Sequence, residues 1–352
     1  MKSLLIFEIA KILRRKTTVW LVVGVIAINV ISIISGISSS AVVDRQTVIT
    51  GLTAIKLNQQ IAEEYEGIFT NDTIDRVIAD YGPTTQANNG HYRWNNTNSF
   101  VSEEFVFMER TLEEAFPFAT EPLYFGYAQG WLQLADVFSV VMWLMLVVIV
   151  VTISPVFSDE YHSRMDMIIL PSKYGKSKVS LAKIAASFIT MIPLAALIAA
   201  LNYLTHGVIY GFGGLNVHMH CTMMGLSSYP LVMTWGEYLT QTFICFMLAT
   251  LGTTAITLLV SSLSRTSFVA IIISIIVIFI PLFICMTFPK QFISGIAALF
   301  PSGLISDGIL LDSLLPDSLF SDGYTTAAAI LTTILLVACI LGSSRRFRTA
   351  QA

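Results

Sequence analysis

Six long apolar runs, separated by polar segments, limit what this chain can fold into more than any other feature. An α-helix needs about 20 apolar residues to cross the hydrocarbon layer of a bilayer, where it must satisfy its own backbone hydrogen bonds. Only 12% of the residues are charged, whereas soluble domains carry about a quarter. The sequence therefore predicts an all-α polytopic membrane protein with six transmembrane helices, at residues 18–37, 137–157, 179–204, 238–263, 268–288 and 325–342.

The polar segments between these runs divide the chain further. Residues 289–324 contain apolar stretches that are too short to span and are separated by prolines, which predicts short re-entrant helices before span six. The predicted order is a cytoplasmic interfacial helix (residues 1–16), span one (17–38), an extracellular helical domain between spans one and two (39–135), spans two to five (136–288), extracellular re-entrant helices (289–324), span six (325–342) and a cytoplasmic tail (343–352).

The Lys and Arg residues predict the orientation of the spans. Most of them fall on the cytoplasmic side if the N-terminus is cytoplasmic, as the positive-inside rule requires. Lys183 lies one turn inside the third run and is expected to extend its amine to the interface. A basic start, an apolar run and Ser38 to Ala41 also fit a cleaved signal peptide, although this run is longer than typical signals. We predict a multi-pass protein of the bacterial plasma membrane with both termini in the cytoplasm.

The predicted extracellular domain combines apolar helical faces with an Asn- and Glu-rich surface. Helices are expected at residues 48–67, from an Asn71 cap onwards, and across residues 101–116. They would form either a cap over the membrane or a surface that binds a ligand. In a later outer segment, the His-x-His-Cys sequence at residues 218–221 offers three metal ligands, but the lack of a fourth favours an ordinary loop and no metal site.

Motifs for catalysis and nucleotide binding are not recognisable in the sequence. Residues 175–177, Gly-Lys-Ser, end like a phosphate-binding loop, but Leu170 stands where the first glycine is required. The spans hold no Asp, Glu or His at mid-depth, where an ion relay would need them. The chain is therefore predicted to be no enzyme and to hold no cofactor, so that the energy for transport would come from a partner protein.

The cytoplasmic loop between spans two and three, residues 158–178, is the most informative segment. Asp159, Glu160 and Arg164 are polar, whereas Met165 is apolar. This pattern is typical of a short amphipathic helix that fits a groove on a partner. The alternative interpretation is an ordinary charged membrane anchor.

The order of Phe157, Glu160, Leu170-Pro171 and Lys183 resembles the permeases of type-2 ATP-binding-cassette (ABC-2 type) exporters. The resemblance extends over all six spans. It implies a permease subunit that moves an amphipathic or hydrophobic substrate, such as a peptide, lipid, antibiotic or drug, out of the cell. ATP and Mg²⁺ would bind in a separate ABC ATPase subunit. Two permeases, identical or different, would pair within the membrane lipid, and no nucleic acid would take part.

The resemblance also implies roles for particular residues. The loop would dock into the ATPase with Glu160 nearest the contact and exposed to water, and the pathway would lie between two permeases. Ser163, where that family often has Gly, departs from the pattern. The implied ATPase-coupling residues are Phe157, Asp159, Glu160, Arg164, Met165 and Asp166, and the implied pathway residues are Asn29, Trp143 and Thr287.

A membrane sensor or scaffold with an extracellular ligand-binding domain is the alternative function. It would use the same six spans, but it would need no ATPase. Co-purification of an ATPase that depends on residues 159–166 therefore distinguishes the two hypotheses.

Overall fold

The computed structural model describes residues 2–44, 47–81, 111–119, 121–165, 178–221, 231–289, 291–315, 317–320 and 323–349. Helices predominate within these ranges. In chain order the elements are α1 (Lys2–Leu13), α2 (Lys16–Ser39), β1 (Ala41–Asp44), β2 (Thr47–Thr50), α3 (Leu52–Glu64), β3 (Gly67–Ile68), α4 (Asn71–Tyr81), α5 (Leu112–Ala115), β4 (Tyr124–Phe125), α6 (Gln129–Ile153), α7 (Pro155–His162), α8 (Ser180–Tyr210), α9 (Trp235–Leu263), α10 (Ser267–Thr287), α11 (Phe292–Ala298), α12 (Pro301–Leu304), α13 (Asp307–Ser313) and α14 (Tyr324–Thr349).

Six helical segments in the described part of the chain are long and apolar enough to cross a membrane. They are α2, α6 with α7, α8, α9, α10 and α14, and each overlaps one of the apolar runs. The prediction of six long apolar helices is therefore confirmed. α8 has 31 residues, which at 1.5 Å per residue is about 46 Å, so it extends beyond a hydrocarbon layer of about 30 Å.

The chain folds into two compact units. Unit 1 contains Met1–Ile28, Ser139–Ala200 and Gln241–Ala352, and unit 2 contains Asn29–Phe138 and Leu201–Thr240. Unit 2 has a hydrophobic core of its own, built from α3, α4 and the segments that flank β4. Several aromatic rings pack in this core. Most of this core comes from the segment between spans one and two, and Cys221, which follows span three, also belongs to it.

Unit 2 contains strands, so the prediction of a purely helical insertion is wrong in this respect. β1 and β2 form an antiparallel hairpin, and β3 pairs with β4. The β1 and β2 sequences, Ala-Val-Val-Asp and Thr-Val-Ile-Thr, are rich in β-branched residues, which favour strands. Strands of two to four residues are too short to show the alternation that identifies a strand in a sequence.

α4 is present as predicted, but its cap is a different residue. The Thr70 hydroxyl accepts a hydrogen bond from the Thr73 backbone amide at 3.3 Å, whereas Asn71 is the first helical residue. Most of the helix predicted at residues 101–116 lies outside the described residues. Its described end is α5, which begins with a capping box on Thr111.

Three short helices precede α14 in the described part of unit 1, where the sequence predicts short re-entrant helices. Between α11 and α13 the chain passes through α12, where Gly303 lies against the end of α11. A Cβ atom at Gly303 would lie 2.4 Å from the Ala298 carbonyl oxygen. The Tyr324 hydroxyl donates to the same oxygen at 2.8 Å. These contacts tie the short helices to the start of α14, and their insertion into the membrane stays a prediction.

Candidate functional site

A break between α6 and α7 creates the local structure on which the site depends. Pro155 has no amide hydrogen and its ring clashes with the preceding turn, so the regular helix ends just before it. Ser261 of α9 fills the gap. Its hydroxyl accepts from the backbone amides of Phe157 and Ser158 at 3.0 and 3.3 Å and donates to the Ser154 carbonyl at 2.5 Å. One side chain therefore satisfies three backbone groups at the break.

α7 extends this polar network to two other elements. The Ser158 and Ser267 hydroxyls lie 3.0 Å apart, and Ser267, the first residue of α10, donates to the Asp159 carboxylate. Asp159 also pairs with Arg15, with Nη2 and Oδ2 2.8 Å apart. The network thereby joins α7 to α10 and to the turn between α1 and α2.

Four charged side chains, Glu8, Lys11, Glu160 and Lys183, form a cluster that joins α1, α7 and α8; we call it the charge cluster. The buried Lys183 ammonium group lies 2.5 Å from Glu160 Oε1 and 3.1 Å from each Glu8 carboxylate oxygen. Lys11 lies 3.6 Å from Glu160 and is the most exposed of the four side chains. The positive and negative charges in the cluster are equal in number, which is the condition for burying them together.

The buried position of the charge cluster constrains the helices that contribute to it. Removing an isolated ion from water costs several kcal/mol even after the protein relaxes, so each buried charge has to keep its partner. Moving α1, α7 or α8 away would leave a charge unpaired. The cluster therefore holds these three helices in one arrangement, whatever its net contribution to stability.

One prediction about this cluster is wrong: Glu160, expected in water, is only 4% exposed. Lys183, expected to extend its amine to the interface, directs it to the carboxylates of Glu8 and Glu160. The position of this amine relative to a membrane stays a prediction. The sequence carries one signal that fits this pairing: Glu8 and Lys183 are opposite charges with apolar neighbours on both sides, and such charges are tolerated in an interior when they are paired, but the signal does not say which partner each would take.

Phe157 attaches α7 to the last long helix. It is fully buried, and its ring centroid lies 5.2 Å from that of Phe347 in α14. The Tyr161 ring lies 6.2 Å from the same partner. Phe157 therefore packs inside unit 1 and is not part of an accessible surface.

The exposed part of this segment is residues 162–165, which we call the α7 tip. α7 ends there in a Schellman motif. The Met165 amide bonds the Glu160 carbonyl at 2.9 Å, and the Arg164 amide bonds the Tyr161 carbonyl at 3.2 Å. Arg164 has a φ of 55°, so a residue other than glycine occupies the left-handed position that closes the motif.

The predicted coupling residues therefore have different surroundings. Phe157 and Glu160 are buried, Asp159 is bonded but partly exposed, and Arg164 and Met165 are exposed at the α7 tip. Asp166 lies outside the described residues, as does the rest of the loop through residue 177. Their roles in coupling stay a prediction.

We expect Arg164→Val to be about 1–2 kcal/mol less stable than Arg164→Gly, because a side chain in the left-handed conformation crowds the following carbonyl and glycine does not. Both variants remove the same charge, so the comparison isolates the backbone effect. Thermal unfolding of the two purified variants measures it. Equal stabilities would contradict the left-handed turn at Arg164.

The three predicted pathway residues have separate neighbours. Trp143 of α6 stacks on Phe279 of α10 with a centroid distance of 5.6 Å, which places the second and fifth spans in contact. Thr287 donates back to a carbonyl of its own helix at 2.7 Å. Asn29, in unit 2, is buried and donates to the Asn202 side chain. A role of these residues in a pathway stays a prediction.

The His-x-His-Cys sequence is part of the folded interior of unit 2. His218 Nδ1 accepts a hydrogen bond from the Tyr124 amide at 2.8 Å. The Cys221 thiol belongs to the hydrophobic core, where burial raises its pKa well above the usual range and disfavours the thiolate that metals bind. His220 is also buried. Among the described residues, no group of three or more His, Cys, Asp and Glu is arranged to hold a metal ion.

No model of a known protein family matches the chain, and no curated protein matches it. The geometry of α7 and its surroundings, together with the order of Phe157, Glu160, Leu170-Pro171 and Lys183, is therefore the basis for a function.

Proposed function

We propose that the chain is the membrane-spanning permease subunit of an ATP-driven exporter of the ABC-2 type, with ATP and Mg²⁺ bound by a separate ATPase subunit. The observation that carries the proposal is the structure of α7. Its base is held by ion pairs and packing, while its tip is exposed at the end of the 34-residue apolar segment Gln129–His162. A helix with a fixed base and an exposed tip is suited to receive a docked partner and transmit its motion.

The base of α7 connects to several membrane helices at once. Lys183 links it to α8, Phe347 links it to α14, and Ser261 and Ser267 link it to α9 and α10. Separating these contacts would expose unpaired buried charges or backbone amides. A force at the tip would therefore move the helices together rather than unwind α7. This behaviour is required if ATP hydrolysis in a partner is to rearrange the spans.

The distribution of basic residues supports a cytoplasmic position for the α7 tip. Exposed Lys and Arg residues lie next to the start of span one and next to the ends of spans two, four and six. When six helices alternate in direction, these four ends lie on the same side of the membrane. Under the positive-inside rule this side would be the cytoplasm, where ATP is available, and both termini of a six-span chain would then lie there as well. The residues concerned are Arg14, Lys16, Arg164, Arg265, Arg345 and Arg346.

The chemistry of the tip defines the partner surface it would fit. Met165 is 49% exposed, and its flexible thioether adapts to irregular apolar surfaces. Arg164 offers a planar guanidinium that binds carboxylates through paired hydrogen bonds. We therefore expect the ATPase to present a groove with apolar and acidic side chains, with Met165 rather than Glu160 at the contact.

Amphipathic or hydrophobic cargo is part of the same proposal. α2, α10 and α14 carry many exposed apolar side chains, including Trp20, Phe268 and Ile330. In a membrane such surfaces face lipid or a second permease. A pathway formed between two such surfaces suits a peptide, lipid, antibiotic or drug that is largely apolar.

Affinity capture of the full chain from its native membranes tests the proposal. The wild-type chain is expected to co-purify with ATP hydrolysis and with a protein that mass spectrometry shows to contain a Gly-x-x-x-x-Gly-Lys-Ser/Thr loop. Met165→Asp is expected to reduce both by about tenfold or more, a factor equivalent to about 1.4 kcal/mol, because the contact would bury a carboxylate. Its unfolding temperature should not change, since Met165 is half exposed.

Leu52→Asp is the matched control, because Leu52 is a 55% exposed aliphatic residue at the start of α3 in unit 2. This variant is expected to retain the ATPase. Absence of a nucleotide-hydrolysing partner from the wild-type sample would refute the proposal. Loss of a partner with Leu52→Asp, but not with Met165→Asp, would favour the sensor or scaffold alternative.

A further inference from the structure

A groove opens at the turn between α9 and α10 in unit 1. Its cavity of about 360 Å³ is lined by both helices and by the turn itself. Most of the lining side chains are aliphatic, while the turn contributes hydroxyl groups and one cation. The residues used below are Val260, Leu263, Val269, Ile273, Arg265 and Thr266.

Arg265 gives the mouth of the groove a positive charge. Its side chain is exposed, and no contact in the described part of the chain provides its guanidinium with a partner. The next residue, Thr266, caps α10 by accepting a hydrogen bond from the Val269 amide. The N-terminal end of this 21-residue helix adds the positive end of its dipole beside Arg265. The mouth of the groove therefore favours an anion.

A neighbouring carboxylate does not cancel this charge. Asp159 accepts a hydrogen bond from Ser267, two residues after Arg265. It is also paired with Arg15, with the charged atoms 2.8 Å apart. The charge of Asp159 is therefore balanced by Arg15, and no carboxylate among the described residues is paired with Arg265.

The aliphatic walls extend from this mouth along the two helices. Val260 lies about one turn before the end of α9, and Val269 and Ile273 lie within the first two turns of α10. Both helices are apolar enough to cross a membrane. In a bilayer, the charged mouth would thus lie at the level of the lipid headgroups and the walls at the level of the acyl chains.

We propose that this groove binds one anionic phospholipid, with its phosphate on Arg265 and an acyl chain along Val260, Val269 and Ile273. The positive charge at the mouth favours an anionic headgroup. The aliphatic walls, at the level of the acyl chains, favour a ligand that carries an acyl chain. A free phosphate would use the mouth alone, and a zwitterionic lipid would bring a cation towards Arg265. The site goes beyond the proposed export function and does not depend on it.

Native mass spectrometry of the full chain in an uncharged detergent tests the site. Phosphatidylglycerol and phosphatidylcholine with identical acyl chains are added separately, and bound lipids are counted. The wild-type chain is expected to retain phosphatidylglycerol preferentially. Arg265→Gln is expected to weaken its retention about fivefold, the factor that corresponds to about 1 kcal/mol for one basic residue at an anionic surface. Arg265→Lys, which keeps the charge, is expected to lose less.

Two other variants make the result specific to the groove. Arg14→Gln removes an equal charge from an exposed position outside it and is expected to retain phosphatidylglycerol like the wild type. Val269→Trp fills the groove without changing charge and is expected to reduce retention. The proposal is overturned if Arg14→Gln and Arg265→Gln behave alike, or if Val269→Trp has no effect. It is also overturned if glycerol phosphate, which lacks acyl chains, displaces the lipid at an equal concentration.

Discussion

Lys183→Met is expected to lower the free energy of unfolding by about 3–5 kcal/mol, the cost of removing one partner from a buried ion pair. The Lys183 side chain is 0% exposed and its ammonium group contacts both Glu8 and Glu160. Methionine nearly preserves the length of the side chain, but the variant leaves two buried carboxylates close together. Thermal unfolding of the purified protein in detergent micelles, followed by tryptophan fluorescence, measures the loss.

Two further variants show whether the loss comes from burial and charge balance. Lys11→Met removes a charge from the same cluster, but Lys11 is partly exposed and its pair with Glu160 is longer, at 3.6 Å. Its expected loss is at most about 1 kcal/mol. The double variant Lys183→Met with Glu8→Gln restores charge balance and is expected to recover part of the stability. Equal losses for Lys183→Met and Lys11→Met would contradict the buried arrangement.

Ser261→Ala is expected to lower the free energy of unfolding by about 2–6 kcal/mol, because two buried amides lose their acceptor and each such amide costs about 1–3 kcal/mol. The Ser261 hydroxyl accepts hydrogen bonds from the backbone amides of Phe157 and Ser158, and both of these residues are fully buried. Under the proposed function, the same variant is expected to weaken coupling, since the base of α7 would no longer be attached to α9. Thermal unfolding and ATPase co-purification report the two effects separately.

Ser262→Ala is the control for this change. Ser262 is also buried, but its hydroxyl donates to the Leu259 carbonyl of its own helix at 2.7 Å. Its removal leaves no backbone amide without an acceptor, so we expect a loss of about 1 kcal/mol or less. If the two serine variants lost the same stability, Ser261 would have no special role at the helix break.

The position of the candidate site along the chain was predictable, because its signals are local. The second apolar run meets Pro155 and then a polar stretch, and both features can be identified within a few residues. Which side chains of that stretch face water was not predictable from the same signals. Glu160 is buried by Lys183 and by the α1 helix, and Phe157 is buried by Phe347. The residues of this segment that are exposed are therefore residues 162–165, and not Glu160 as the sequence had predicted.

The sequence alone determined that six segments can cross a membrane, because a helix in lipid must satisfy its backbone within the segment and this demand depends on local composition. It did not determine which charges would be buried together. Glu8 and Lys183 are 175 positions apart, and their pairing depends on the distance between two helices rather than on any spacing in the chain. Only the tertiary structure shows that they are in contact. The base of α7, which the sequence predicted to be exposed to water, is therefore buried and attached to the neighbouring helices.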